Sequence, residues 1–340
     1  MIETWDDDIG DREEVLARHN LSDRDVLSDT LLVIPQNAPD DPLFVLEERA
    51  IYRCPACRDS LETLAYAGLT AALGAVNRAL VEHHHRYRSG QATKPDTIEV
   101  KMDVACSCTT HTMSFYRGFS EAEPVVDAAL DFDLAGPEDP AMLSDIDGVY
   151  TRNDCVEIFK KLLLRWRARN RVVLLVVPFI GLDFAGREEN RMELWNLIVG
   201  YTDPARTLMV TRRATFTGFL KAAEKTGLGI ETLKKFGILA PMLDHLGSKQ
   251  AVFKQESHAK FYASVGPDTT EVLSGSFNIH TGEYVENLLF KSYDTSEFLK
   301  RYLLPLGILF NLNERLAERE VLSLNFSGGL VKSTSSRKMA

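Results

Sequence analysis

No uninterrupted apolar run in the 340-residue chain approaches the roughly 20 residues that span a bilayer. The longest, Val172 to Leu182, contains Pro178 and fits a buried strand better. The N-terminal Met1-Ile2-Glu3-Thr4-Trp5-Asp6-Asp7-Asp8 is acidic, unlike a secretory leader. These absences predict a cytoplasmic protein with no membrane partner. Cysteine is scarce, and its count of five is odd, which argues against a disulfide framework. No internal repeat is found. Metal-ligand and nucleophile candidates are therefore few, and each can be followed singly.

What is there is ordinary in bulk: 45% hydrophobic and 26% charged residues suit a globular chain. The charge is unevenly placed. Residues 1–50 hold fourteen Asp/Glu against four Lys/Arg, which equals the whole chain's net charge of −10. The remaining residues are balanced, so local basic patches for nucleic acid remain open. The acidic head is a solvated surface or a guard for a basic groove.

Asp11 and Glu14 resemble a capping box for a helix to about His19, and Leu31 to Ile34 a short strand. Arg58 to Arg88 repeats apolar residues at helical spacing and ends in His83-His84-His85, a cationic helix end. Residues 97–105 and Thr110 to Tyr116 read as strands. Asp154 to Arg171 is helical, and its second half carries six positive charges. There Lys161, Arg165 and Arg169 share a face, either a solvated surface or a contact for a phosphate backbone. Arg212 and Arg213 are further candidates for that contact. Strands at Val172 to Val177 and Thr207 to Val210 alternate with a helix at Glu188 to Tyr201. Helices at Thr215 to Lys225 and Ile230 to His245 follow, then a strand at Ala251 to Lys254 and others beyond it. Tyr293 to Phe310 reads as a long apolar helix. The fold class is α/β, with a mixed sheet flanked by helices on both faces and a smaller α+β domain before it. The expected domains are an acidic lead-in (1–50), a zinc-stabilised α+β domain (51–150), a catalytic domain (151–326) and a disordered tail (327–340).

Cys54-Pro55-Ala56-Cys57 and Cys106-Ser107-Cys108 supply four thiols. Four thiolates make a closed structural Zn²⁺ site. A redox pair and plain buried cysteines are the rival readings, and His111 is a spare ligand. Cys155 reads as a lone core residue.

The pattern with most chemistry is His258-x-Lys260, then Gly275-Ser276-x-Asn278, then Glu286-Asn287. On strands, His258 and Lys260 share a face, as do Ser276 and Asn278. An imidazole, an ammonium, a hydroxyl and an amide on adjacent strands suit a tetrahedral anion such as phosphate. The same residues also fit an ordinary polar sheet face.

This ordered set resembles the phospholipase D superfamily, with matching strand and helix order over about residues 172–320. The resemblance implies attack of a histidine on phosphorus, with a phosphohistidine intermediate and no catalytic metal. His258 would be nucleophile or acid/base. Lys260 and Asn278 would hold non-bridging oxygens, Ser276 would donate a hydrogen bond, and Glu286 would orient the histidine. The family's Asp five residues after the lysine is Val265 here, with Asp268 nearby as a candidate stand-in. Only one H-x-K is present, and single-motif members pair as homodimers with a composite site. The expected function is a metal-independent endonuclease, on DNA rather than RNA, working with partner proteins in antiphage defence. The alternatives are a phospholipase or phosphatidyl transferase, and an inactive nucleic-acid-binding scaffold.

Overall fold

The structure, a computed structural model, describes residues 2–4, 30–33, 43–46, 51–120, 132–139, 143, 146–169, 171–180, 188–212, 215, 217–218, 221, 224, 237–239, 258–280, 284–308, 318–327 and 330–339. Residues 1–51 form one unit and 52–340 another. In the first, β1 (Ile2–Thr4) pairs parallel with β3 (Leu43–Leu46), which pairs antiparallel with β2 (Thr30–Val33). The strand expected at Leu31 is therefore present, while the helix from Asp11 lies outside the described residues.

The second unit contains two mixed sheets and is α/β. A five-stranded sheet has the order β15-β14-β4-β5-β6. It joins β4 (Thr97–Ala105), β5 (Thr110–Gly118) and β6 (Asp133–Pro137) to β14 (Glu318–Ser327) and β15 (Leu330–Met339). β4 buries Ile98, Val100, Met102 and Val104, as alternation requires. Helix α1 (Leu61–Arg88) starts at Ser60, whose hydroxyl accepts from Thr63 N–H. Its Leu61, Ala65, Leu69, Ala72, Val76 and Leu80 form one buried stripe, and it packs on β4, β14 and β15. This helix is also long and apolar enough to cross a membrane, which a search for unbroken apolar runs overlooks. At Gly136 a Cβ would lie 2.5 Å from the Tyr52 ring, so only glycine lets β6 approach it.

Two domain expectations need correction. The small domain does not end at residue 150, because β14 pairs parallel with β4 and completes its sheet. Nor is the tail disordered: Leu330–Met339 pairs with β14 over its full length. Its Ser, Thr and Lys residues suit an edge strand with one solvated side.

The other sheet has seven strands in the order β10-β9-β8-β11-β12-β13-β7. These are β7 (Gly148–Thr151), β8 (Val172–Val176), β9 (Thr207–Val210), β10 (Gly237–Leu239), β11 (Phe261–Val265), β12 (Thr269–Gly275) and β13 (Val285–Asp294). One face carries α2 (Arg152–Ala168), whose Phe159 packs on Tyr262 at 4.6 Å and on Phe277 at 6.2 Å between ring centroids. The other face buries Leu174, Val176, Phe261, Ala263 and Val265 in one cluster with Phe298, Leu303 and Ile308. Helix α3 (Glu188–Tyr201) has the expected bounds and packs on α2. The long helix expected from Tyr293 is broken. β13 runs to Asp294, which caps a single turn, α4 (Thr295–Phe298), by accepting from Ser296 and Glu297 N–H. A wider turn and a short 3₁₀ turn follow, and left-handed Gly307 ends them. Gly237–Leu239 was expected in a helix but pairs parallel with β9. The remaining elements expected at Thr215–Lys225, Ile230–His245 and Ala251–Lys254 lie largely or wholly outside the described residues.

Candidate functional site

The register of the seven-stranded sheet decides which chain ends meet. Phe261 at the start of β11 pairs with Ser274 of β12 and Val176 of β8. Gly275 at the end of β12 pairs with Leu288, and Val285 at the start of β13 pairs with Thr151. The beginnings of β11 and β13 and the ends of β7, β8 and β12 therefore share one edge. His258 and Lys260 lie just before β11, Ser276 and Asn278 just after β12, and Glu286 is the second residue of β13. All five come to that edge. They were expected inside strands, and four instead lie just beyond them.

Gly275 explains the break at β12. Its φ is 152°, and a Cβ there would sit 2.0 Å from the Asn287 carbonyl oxygen. Beyond it Ser276 is held by three contacts with Asn287. Its N–H donates to Asn287 O at 3.2 Å and to Oδ1 at 3.1 Å, and its Oγ accepts from Asn287 N–H at 3.1 Å. The Ser276 hydroxyl donates to Glu286 Oε2 at 2.5 Å.

Glu286 does not orient His258 within this chain. Its Oε1 accepts from Arg152 Nε at 2.8 Å and its Oε2 is taken by Ser276. Arg152 is the first residue of α2 and was missed in the sequence. Its guanidinium lies 4.6 Å from the Tyr284 ring centroid, and Nη1 is 3.2 and 3.4 Å from the two ring nitrogens of His280. His280 and Tyr284 were also missed, although both lie in the short stretch between Asn278 and Glu286. Arg152 neutralises Glu286, so Lys260 leaves the edge with excess positive charge. His258 is exposed, and Lys260 Nζ donates at 3.2 Å to the His258 carbonyl. The Asn278 Oδ1 is buried with no hydrogen-bond partner among the described residues. A buried amide oxygen without a donor is costly unless a ligand or water supplies one.

Val265 is a core residue, fully buried between Val172 and Thr270. A carboxylate there would be buried among aliphatic side chains. Asp268 lies beyond the far end of β11 and is exposed. Neither position brings a side chain to the edge that holds His258.

The basic face of α2 is mostly interior, which corrects its reading as a nucleic-acid contact. Arg165 and Glu271 are both 0% exposed and are paired at 3.0 Å. Arg165 Nη1 also donates to Pro137 O at 2.5 Å. Arg169 donates to Pro137 O and Glu138 O at 2.9 and 2.8 Å. Lys161 pairs with Glu62 at 2.8 Å. These cations tie α2 to α1, β6 and β12. Arg212 does lie near the candidate edge, just past the end of β9, with its guanidinium 4.3 Å from the Phe179 ring centroid. Arg213 lies outside the described residues.

A second cluster stands beside α1. The Sγ atoms of Cys54, Cys57, Cys106 and Cys108 all lie within 4.8 Å of one another. Cys54 and Cys106 approach Cys108 to 3.5 and 3.7 Å. A tetrahedron with Zn–S of about 2.3 Å has edges of about 3.8 Å, so the four positions fit one metal ion. The two loops are locked together, since Asp59 Oδ2 accepts from Ser107 N–H at 2.7 Å and Oγ–H at 2.6 Å. The Cys57 backbone N–H, with that of Ala56, favours the Cys54 thiolate and lowers its pKa to about 6. Hydrogen bonds with Cys54, Cys106 and Cys57 push Cys108 up to about 12. Four thiolates so close cannot all ionise alone, whereas a shared cation lets them. His111 Nε2 is 3.5 Å from Cys106 Sγ, beside a set already complete with four thiols. None of the five cysteines is in a disulfide, and Cys155 is buried in the core as expected.

Of the three histidines that end α1, His83 is buried, and burial lowers its pKa. No known family model matches the chain, and no curated protein is significantly similar to it.

Proposed function

We propose that the protein is a phosphodiesterase of the phospholipase D type, acting as an endonuclease through a phosphohistidine intermediate. The observation that carries the reading is the register of β11, β12 and β13. It gathers His258, Lys260, Ser276, Asn278 and Glu286 at one sheet edge, with Ser276 bonded to Glu286 at 2.5 Å. His258 attacks phosphorus, and the bond from phosphorus to the leaving oxygen breaks. A second histidine gives that oxygen its proton. Water then cleaves the N–P bond and returns a proton to the second histidine. Lys260 balances charge on the non-bridging oxygens and the Asn278 side-chain N–H donates to them, and fixed donors in a partly buried site act most strongly. Glu286 holds Ser276 and Arg152 in place and so positions the donors. With one H-x-K per chain, a homodimer supplies the second histidine. The four cysteines hold a structural Zn²⁺ that takes no part in this chemistry.

A direct test is cleavage of plasmid, of single-stranded oligonucleotides and of phospholipid vesicles, each with and without EDTA. Wild type is compared with His258→Ala and Lys260→Ala. EDTA-resistant nucleic-acid cleavage that both variants abolish is the expected result. Cleavage of lipid alone would overturn the nuclease reading, and activity that survives His258→Ala would overturn the mechanism.

A further inference from the structure

We infer that Tyr284 and Arg152 form a stacking platform for an unpaired nucleobase of the substrate strand, beside the proposed phosphodiester site. The inference rests on the nuclease reading and names its substrate as single-stranded nucleic acid. Tyr284 is 71% exposed, which is unusual for a ring with ordered contacts. Its orientation is nonetheless fixed from below. The Arg152 guanidinium lies 4.6 Å from its centroid and is only 15% exposed. Arg152 is itself anchored by Glu286 at 2.8 Å, and its backbone N–H donates to Tyr284 O at 3.0 Å. One face of the ring is thus occupied by a partly buried cation, and the ring as a whole faces solvent. A ring held this way needs little further ordering to receive a second flat group.

Position and charge point to a nucleotide. A single carboxylate, Glu286, joins Arg152 to Ser276, whose hydroxyl proton it accepts, so the platform is a short step from the loop that carries Ser276 and Asn278. Glu286 neutralises Arg152, so the positive charge that favours a neighbouring phosphate on this edge is that of Lys260. Stacking on tyrosine needs an exposed base face, which a duplex hides and a single strand offers. The bland role is an apolar cover over the Arg152–Glu286 pair. That role needs bulk at position 284 and no π face, so leucine would serve it.

The experiment measures fluorescence anisotropy of labelled single-stranded and duplex oligonucleotides, with His258→Ala protein to prevent cleavage. Tighter binding of the single strand is expected. Added Tyr284→Phe should keep the affinity, Tyr284→Trp should keep or raise it, and Tyr284→Leu should lose about tenfold. Arg152→Lys should weaken binding. Retention by the Trp variant and loss by the Leu variant cannot both come from misfolding. A Leu variant that binds like its parent, tighter binding of duplex, or Tyr284-dependent binding to phosphatidylglycerol vesicles would each overturn the platform. Hydrolysis of bis(p-nitrophenyl) phosphate by wild type, lost in His258→Ala, reads the phosphodiesterase alone. If it is present while the Leu variant binds normally, only the platform falls. If hydrolysis and strand binding are both absent, the nuclease reading falls with it.

Discussion

Replacing Glu271 with Gln removes one charge from the most buried ion pair described in the protein. Glu271 and Arg165 are 0% exposed, and the carboxylate also accepts from Trp166 Nε1 at 2.9 Å. Burial alone would raise the pKa of Glu271, but Arg165, assisted by Arg169, holds it at about 2, below the usual 4.5. A carboxylate depressed this way adds stability above its unfolded pKa and loses it as pH falls toward the folded value. The gap corresponds to stability on the order of 3 kcal/mol, present at neutral pH and lost between about pH 4.5 and 2. Glu271→Gln forfeits it and leaves Arg165 buried beside a neutral amide, a loss of about 3–5 kcal/mol. For a unit of this size the melting temperature should fall by about 6–10 °C at pH 7. Thermal unfolding followed by circular dichroism measures it. The double change Arg165→Met with Glu271→Leu should recover much of the loss, because no unpaired charge remains. A Gln variant that melts within about 2 °C of wild type would refute the reasoning. So would a wild-type stability that did not decline relative to the variant's in the acid window.

Gly275→Ala should disrupt the site and the fold together, because its Cβ meets a backbone oxygen at 2.0 Å and no side chain can move aside. We expect a fall in melting temperature of several degrees and loss of cleavage, both measurable on purified protein. The cysteine cluster should carry one zinc per chain by elemental analysis, and Cys54→Ser should lower that content. A chelator strong enough to remove the metal should lower the melting temperature.

Local structure was the legible part of this chain. The alternation at Ile98, Val100, Met102 and Val104 and the stripe from Leu61 to Leu80 reported β4 and α1 because periodicity records which face is covered. The paired cysteines were legible for a similar reason, since C-x-x-C and C-x-C keep ligands close whatever lies between. Periodicity does not record what covers a face. Arg165 and Arg169 share a helical face as expected, but their partner Glu271 is about a hundred residues away, and the face is interior. The pairing of β14 with β4 spans 224 residues, and it dissolved the expected domain boundary. The five candidate site residues were picked out by order and residue type, and the strand register brings them to one edge. Arg152 was invisible because a single arginine at a helix start carries no pattern, and only the fold sets it against Glu286 and Tyr284.

The origin of the second histidine can be settled by mixing chains. Two sources are open to the proposed reaction: His258 of a second copy, or His280 of the same chain. His280 lies against Arg152, which bonds Glu286 of the Ser276–Glu286 pair, so geometry alone makes it a rival. In a composite site both copies must supply His258, and a wild-type chain paired with a His258→Ala chain is inactive. An equal, fully exchanged mixture then contains active dimers as about one quarter of all dimers. Activity per wild-type chain should fall by about half. If His280 serves within each chain, activity per wild-type chain is unchanged, and His280→Ala abolishes cleavage as fully as His258→Ala does. The dilution curve separates the two, because it is quadratic in the wild-type fraction for a shared site and linear for a self-contained one. A linear curve would refute the homodimeric active site while leaving the phosphohistidine chemistry at His258 intact.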